Sequence, residues 1–332
     1  MVIEHFSSFD ENHLRVTLLM PLRDDWSCAE ELIRRIDQAV QQTASVISVI
    51  LVDDGSIRRC DSGNFAGPFS SVEAIRVLRL RRNLGHQRAI AIGLAYIQQT
   101  RVCDVVAVMD ADGEDTPEGL VRLLQTFSQN GGTVAIFAAR SKRSESMLFR
   151  FFYQMYRAVH WTLTGVSVRV GNFSVLPFQF LGTLAVLSEL WNHYAAAIVR
   201  SKLPYGMIPI ARGRRISGKS TMNFVAMVTH GLSAISVFGD VVGVRLIIAA
   251  LVGSGLAGVG IVVVVAIRLF TNLAIPGWAS YVAANLVVIM IQLIVSAASF
   301  TFFILSSRAN LGFIPIRDYS LFVEDVVDSY PK

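Results

Sequence analysis

Two stretches of this chain run without a charge for longer than a soluble fold usually allows. Leu246 to Ile267 is 22 residues and Tyr281 to Leu305 is 25, and neither contains Asp, Glu, Lys or Arg. As helices rising about 1.5 Å per residue they reach roughly 33 and 38 Å, enough to cross the hydrocarbon core of a bilayer. The link between them, Arg268 to Trp278, holds Pro276-Gly277 as a turn, and Trp278 suits the membrane interface. The expectation is a C-terminal hairpin of two transmembrane helices (about 246–267 and 281–305) within 241–306, with both chain ends on one side. Arg245, Arg308 and Arg317 only slightly outnumber Arg268, so charge bias says little about orientation. Met1 to Arg15 is polar and acidic, without the apolar core of a signal peptide. The chain therefore reads as a multi-pass protein with a cytosolic first domain, in a bacterial inner membrane.

Composition agrees with this division. Hydrophobic residues make up 53% of the chain and charged residues 17%, against about 25% charged in an average soluble domain, and the apolar excess lies mostly after residue 240. The net charge is +5. Its basic residues are dispersed apart from Arg212, Arg214, Arg215 and Lys219, a pattern that favours a membrane or phosphorylated substrate over a nucleic acid. Cys28, Cys60 and Cys103 are odd in number and lack metal-site spacing, which suits a reducing compartment. Ala250, Ser254 and Gly258 recur every four residues on the first span and Gly253 and Ala257 repeat the pattern, a spacing used for close helix packing, including a homo-oligomer. Before that span, 216–240 reads as a juxtamembrane amphipathic helix, and Met147 to Leu163 has a similar pattern. For both, packing into a core is the competing reading.

The N-terminal part alternates strands and helices. RVTLLM (15–20), VISVILV (46–52), 74–80, DVVAVM (104–109) and 133–138 read as strands. A capping box, Ser27-x-x-Glu30, opens a helix to about Thr43; another helix covers about 87–99, and Thr116-Pro117 opens a third. The fold class is therefore α/β with a mostly parallel sheet, and ligands bind such sheets beyond the carboxyl ends of their strands. Asp53-Asp54 and Asp110-Ala111-Asp112 both fall at those ends. Two carboxylates one residue apart can hold Mg²⁺ or Mn²⁺ and direct it at a diphosphate.

The ordered set Pro21, Asp53-Asp54-Gly-Ser, Arg82-Asn83-Leu-Gly85-His86, Asp110-Ala-Asp112 and two C-terminal spans resembles the polyprenyl-phosphate (dolichyl-phosphate-type) hexosyltransferases of glycosyltransferase family 2. The resemblance covers almost the whole chain. It implies a GT-A domain over 1–215, a cytosolic tail over 307–332, and inverting transfer of a hexose from a UDP- or GDP-sugar to a polyprenyl phosphate. It implies that Asp53 and Asp54 contact the donor's base and ribose, that Asp110 and Asp112 hold a divalent metal and the diphosphate, and that Pro21, Asn83 and His86 border the donor. Asp115 is a further acidic position or a helix cap, and His86 a ligand contact or a helix-start residue. Arg215-Ile-Ser-Gly-Lys219-Ser220 resembles the family's Arg-x-x-Gly-x-Ser-Lys segment, which implies a grip on a phosphate; contact with an anionic membrane is the alternative.

The sequence departs from the family pattern at three places. Asp24-Asp25 stands where Asn-Glu is usual, Thr221 where Lys is usual, and Asn172-Phe173-Ser174 where Asp-Phe-Arg is usual. That Asp is the proposed base in some relatives. A phosphate monoester with a second pKa of about 6 is already ionised at neutral pH, so such a nucleophile needs aim rather than deprotonation. Asn172 is thus consistent with catalysis through positioning. Trp191-Asn192-His193-Tyr194 offers either a sugar or lipid pocket or the core aromatics of a helix. A polysaccharide synthase would bring a QxxRW-like segment and more spans, and a non-catalytic scaffold would not need Asp110 and Asp112. Neither span carries the ionisable residues of a transport pathway.

Overall fold

Successive apolar residues of each central strand enter two different cores, which makes the sheet the middle layer of the domain. In β1 (Arg15–Leu22), Leu18 and Met20 face one core and Leu19 the other; in β2 (Val46–Asp53), Val49 and Leu51 oppose Ile50 and Val52. Burial on both faces gives these strands their unbroken apolar runs. A computed structural model describes residues 14–41, 43, 45–60, 65, 67–100, 103–140, 147–166, 170–217, 224–271, 277–309 and 312–331.

With β3 (Val72–Leu80), β4 (Val105–Val108), β5 (Ala135–Arg140), β6 (Ser174–Pro177), β7 (Tyr205–Ile210) and β8 (Val323–Tyr330), these strands form an eight-stranded sheet in the order 7-5-6-4-1-2-3-8. Pairings β1–β2, β1–β4, β2–β3 and β5–β7 are parallel. Those of β6 with β4 and β5, and of β8 with β3, are antiparallel. The carboxyl ends of β1, β2, β4, β5 and β7 therefore meet the amino end of β6 at one edge. Helices α1 (Trp26–Val40) and α3 (Pro117–Gln129) cover one face; α2 (His86–Thr100), α5 (Gln179–Leu184) and α6 (Tyr194–Ser201) cover the other.

One local expectation changes. The first helix starts at Trp26, so Ser27 lies inside it; Asp25 occupies the N-cap position without a side-chain hydrogen bond, and no capping box forms. By contrast, Thr116 does cap α3, its hydroxyl accepting from Gly119 N at 3.1 Å, with Pro117 in the first turn. The tail supplies β8 to the sheet of its own chain, where Arg76 and Arg79 pair with Asp328 and Asp325 across the ladder.

The chain divides into two units. Residues 1–147, 168–237 and 313–332 form the sheet-containing unit, which also holds α7 (Phe224–Ser236) and α10 (Pro315–Asp318). The second unit combines residues 148–167, most of α4 (Met147–Thr164), with α8 (Gly239–Phe270) and α9 (Trp278–Ala309). Helices α8 and α9 have 32 residues each, about 48 Å of helix, and are long and apolar enough to cross a membrane. Leu251, Leu256, Val262, Phe302 and Phe303 on them are more than half exposed, an apolar surface that water does not favour. Ala250 and Ala257 are buried on α8, and Gly253 and Ala257 keep the expected four-residue spacing. A Cβ at Gly243, Gly253 or Gly260 would meet Ile304, Leu293 or Leu286 respectively. Close contacts at these points along an antiparallel pair place small residues under the large side chains of the facing helix.

Candidate active site

The Asp53-Asp54 pair divides its work. Asp53 ends β2, is buried, and accepts from Ser56 N at 2.8 Å, closing the local turn. Asp54 reaches across to the next strand's loop. Its two oxygens accept from Leu84 N at 2.6 Å and Gly85 N at 2.9 Å. Burial pushes the Asp54 carboxyl up from its ordinary value, and these two backbone bonds oppose the shift. Gly55 permits the approach: it has φ +70°, and a Cβ there would lie 2.6 Å from Asn83 N. Asp54 thus secures the turn that carries exposed Asn83 and starts α2 at His86, while Pro21 is buried beside Val52 in the β1–β2 ladder. Asp54→Ala strands two backbone donors and should cost about 2–4 kcal/mol, against about 1 kcal/mol for Asp53→Ala. Chemical denaturation measures both, and equal costs would refute this division.

Asp110 and Asp112 follow β4 directly. The Asp110 backbone N–H donates to Asp115 Oδ2 at 3.0 Å, so Asp115 shapes this loop. Asp112 Oδ1 accepts from Glu114 N at 2.9 Å, and Arg215 donates to Asp112 Oδ2 at 3.0 Å. The segment after β7 lies against the loop: Ile216 N donates to Asp112 O, Gly213 N to Glu114 O, and Arg212 pairs with Glu114. Gly113, at φ +82°, leaves no room for a Cβ, which would stand 2.5 Å from Ile216 Cγ1. Arg215 and Asp112 are brought together; Lys219 and Ser220 lie outside the described residues.

Burial and the neighbouring Asp110 charge raise the Asp112 pKa, with Arg215 opposing. Two crowded carboxylates of this kind are stabilised by a cation. Among the described residues no group of three or more His, Cys, Asp or Glu side chains is arranged to hold a metal. Two oxygen donors nonetheless fit Mg²⁺ or Mn²⁺, which commonly take one or two carboxylates and fill the remaining positions with substrate phosphate and water.

His86 and Asn172 complete the cluster. His86 Nε2 is 3.1 Å from Asp110 Oδ1 and 2.9 Å from Asn172 Nδ2. Loss of solvent disfavours the charged imidazole, but Asp110, with Asp115 and Asp54, outweighs it and raises the His86 pKa. Asn172 also meets Gln87, and with Asp110, Asp115, Phe173 and Arg212 it lines an open pocket. The WNHY stretch mainly builds the interior. Tyr194 is fully buried and bonded to Ser174 Oγ at 2.7 Å, while Trp191 packs against Phe313 and Phe322 from the tail. Sequence reasoning did not single out Gln87 or Glu114. Neither belongs to a motif, and their importance arises only from chain segments far apart in sequence.

A model of the family described as "Glycosyl transferase family 2" matches residues 18–184, half of the chain. An uncharacterized glycosyltransferase of Bacillus subtilis (strain 168), YkcC, is 22% identical, with the alignment covering 82% of this chain and 84% of that protein. An undecaprenyl-phosphate 4-deoxy-4-formamido-L-arabinose transferase of Erwinia tasmaniensis is 30% identical over 40% of this chain, and the match spans only 39% of that relative's length. Among solved structures, mannosyl-3-phosphoglycerate synthase from Rubrobacter xylanophilus superposes with a TM-score of 0.47 at 14% identity, covering 80% of this chain and 78% of that one.

Proposed function

This chain belongs to glycosyl transferase family 2 and is a glycosyltransferase, and we propose that it transfers a hexose from a UDP- or GDP-sugar to a polyprenyl phosphate, with inversion. The observation that carries this reading is Asp110 and Asp112 beside Arg215 at the ligand-binding edge of the sheet, in a chain with two membrane-length apolar helices. The arabinose transferase relative, named for an undecaprenyl-phosphate acceptor, supports the same acceptor class. In this reading the chain is a multi-pass protein of the bacterial inner membrane with its catalytic domain in the cytosol.

The acceptor phosphate oxygen attacks the anomeric carbon as the bond to the nucleotide diphosphate breaks. The nucleotide leaves with the electron pair, and the new bond forms on the opposite face. Asp110 and Asp112 would hold Mg²⁺ or Mn²⁺, which supplies charge neutralisation for the departing diphosphate. Arg215 donates in a planar fork suited to phosphate oxygens, and its contact with Asp112 places it beside that charge. Asp53 borders the donor's base and ribose, with Asn83 on the neighbouring loop. Lys219 and Ser220, which follow Arg215 in sequence, would add their donors to the grip on a phosphate, and Asn172 positions the reactants.

The test incubates purified protein and Mn²⁺ with a panel of UDP- and GDP-hexoses, with and without undecaprenyl phosphate. Nucleotide release that requires both metal and lipid, with a lipid-phosphate-linked sugar of inverted configuration, is expected. Release indifferent to the lipid would overturn the acceptor assignment. Silence with every donor would leave a non-catalytic scaffold.

A further inference from the structure

One backbone amide fixes the direction of a hydrogen-bond chain that ends in the pocket. Tyr194 N–H can only donate, and it donates to Gln87 Oε1 at 2.7 Å. Gln87 must therefore turn its NH₂ group the other way, where Gln87 Nε2 donates to Asn172 Oδ1 at 3.2 Å. With its oxygen so engaged, Asn172 directs its own NH₂ toward His86, the Nδ2–Nε2 separation being 2.9 Å. Side-chain amide orientations are assigned from such networks, and here the Tyr194 N–H, a donor that cannot reverse, fixes Gln87 and through it the Asn172 oxygen.

The same tyrosine holds the other side of Asn172. Ser174 Oγ donates to the Asn172 carbonyl at 2.9 Å, which commits its single proton. The Tyr194 hydroxyl, 2.7 Å away, is then the donor to Ser174. Tyr194 is fully buried, so both chains are anchored in the core.

The outcome does not depend on the charge of His86. If His86 Nε2 is bare, it accepts from Asn172. If it carries a proton for Asp110, Nε2 no longer accepts, and the Asn172 NH₂, whose oxygen Gln87 still holds, has no partner in His86 and is left to donate to a ligand in the pocket. We infer that Gln87 is a positioning residue that keeps the Asn172 amide turned as a hydrogen-bond donor, and that Asn172 uses it to bind a phosphate oxygen of the substrate. An aspartate at 172 would instead present an acceptor beside Asp110, where a second negative charge opposes phosphate. This inference rests on the proposed transfer reaction. It gives the departure from the family's usual Asp a function: a donor in place of a base.

Three variants test it. Gln87→Glu still accepts from Tyr194 N–H but offers Asn172 a second acceptor, which turns the Asn172 oxygen into the pocket. Gln87→Met removes both bonds and leaves Asn172 unbiased. Asn172→Asp removes the donor outright. Gln87→Glu and Asn172→Asp should each lower kcat/KM by about ten- to a hundredfold, the worth of a hydrogen bond to a charged group. Gln87→Met should lose less activity than Gln87→Glu, yet melt at a lower temperature because it strands the Tyr194 amide. A purely structural Gln87 would make Met the worse variant in both respects, and an Asn172→Asp enzyme as fast as or faster than the parent would also overturn the inference. A raised KM for nucleotide-sugar, or for lipid phosphate, tells which phosphate is bound. If the parent protein transfers no sugar, the proposed reaction fails on its own. Calorimetric binding of inorganic pyrophosphate with Mn²⁺ then decides the inference: it should weaken in Gln87→Glu and Asn172→Asp, and unchanged binding sinks it.

Discussion

Asp110→Asn is expected to lower the transfer rate at saturating substrates by about two to three orders of magnitude while leaving the protein folded. The substitution keeps the shape of the side chain and removes its charge. The loop itself is shaped through the Asp110 backbone N–H, which Asp115 holds, so the variant retains that bond. What it loses is one of the two carboxylates available for a cation and the anionic partner of His86. Mn²⁺ binding, followed by electron paramagnetic resonance in the absence of substrate, should weaken in parallel. Asp112→Asn should behave similarly but also weaken the attachment of Arg215, whose guanidinium donates to Asp112 Oδ2. An Asp110→Asn enzyme within tenfold of the parent rate, or one that binds Mn²⁺ equally well, would remove Asp110 from the metal site.

Much of the domain was legible because its signals are local. The apolar runs of β1, β2 and β4, the Thr116-Pro117 helix start and the two uncharged stretches each identify an element without reference to the rest of the chain. The strands that sequence reading missed depend on their neighbours. β6 has four residues and ends at Pro177, too short to show a period, and it exists because β4 and β5 pair with it on either side. β8 reads VEDVVDSY, with acidic residues that strands usually disfavour; Arg76 and Arg79 on the facing strand, with Arg59 nearby, offset them. The candidate site shows the same limit. The dipeptide Asp53-Asp54 gives no hint that its second carboxylate is committed to the backbone of residues 84 and 85. Likewise, Asn172 reads as a missing acid until Gln87, from a helix 85 positions earlier, shows which way its amide points.

Removing residues 313–332 should destabilise the sheet-containing unit by about 4–6 kcal/mol, the loss of two or three largely buried aromatic contacts with their ladder. Phe313 and Phe322 both pack on Trp191, with ring centroids 3.7 and 5.2 Å away, and Phe69 meets Tyr330 edge to face at 4.9 Å. The truncation would also bare β3, whose backbone groups β8 now satisfies, and an unpaired edge of apolar strand invites aggregation. The ion pairs matter much less. Arg59–Glu324 and Arg76–Asp328 sit at the surface, and such pairs contribute about 0.2–1 kcal/mol each, while Arg79–Asp325 is partly buried. Phe322→Ala should therefore cost more than Asp328→Asn, and high salt should leave the tail docked. Because Trp191 lies just ahead of Tyr194, whose amide orients Gln87, loss of the tail aromatics should also reduce transfer activity before the unit unfolds. The measurements are thermal melting of the full chain against the truncated one, and transfer rates at a temperature where both remain folded. A truncated protein that melts within a few degrees of the parent would show that β8 is an ornament of the sheet and not part of its core.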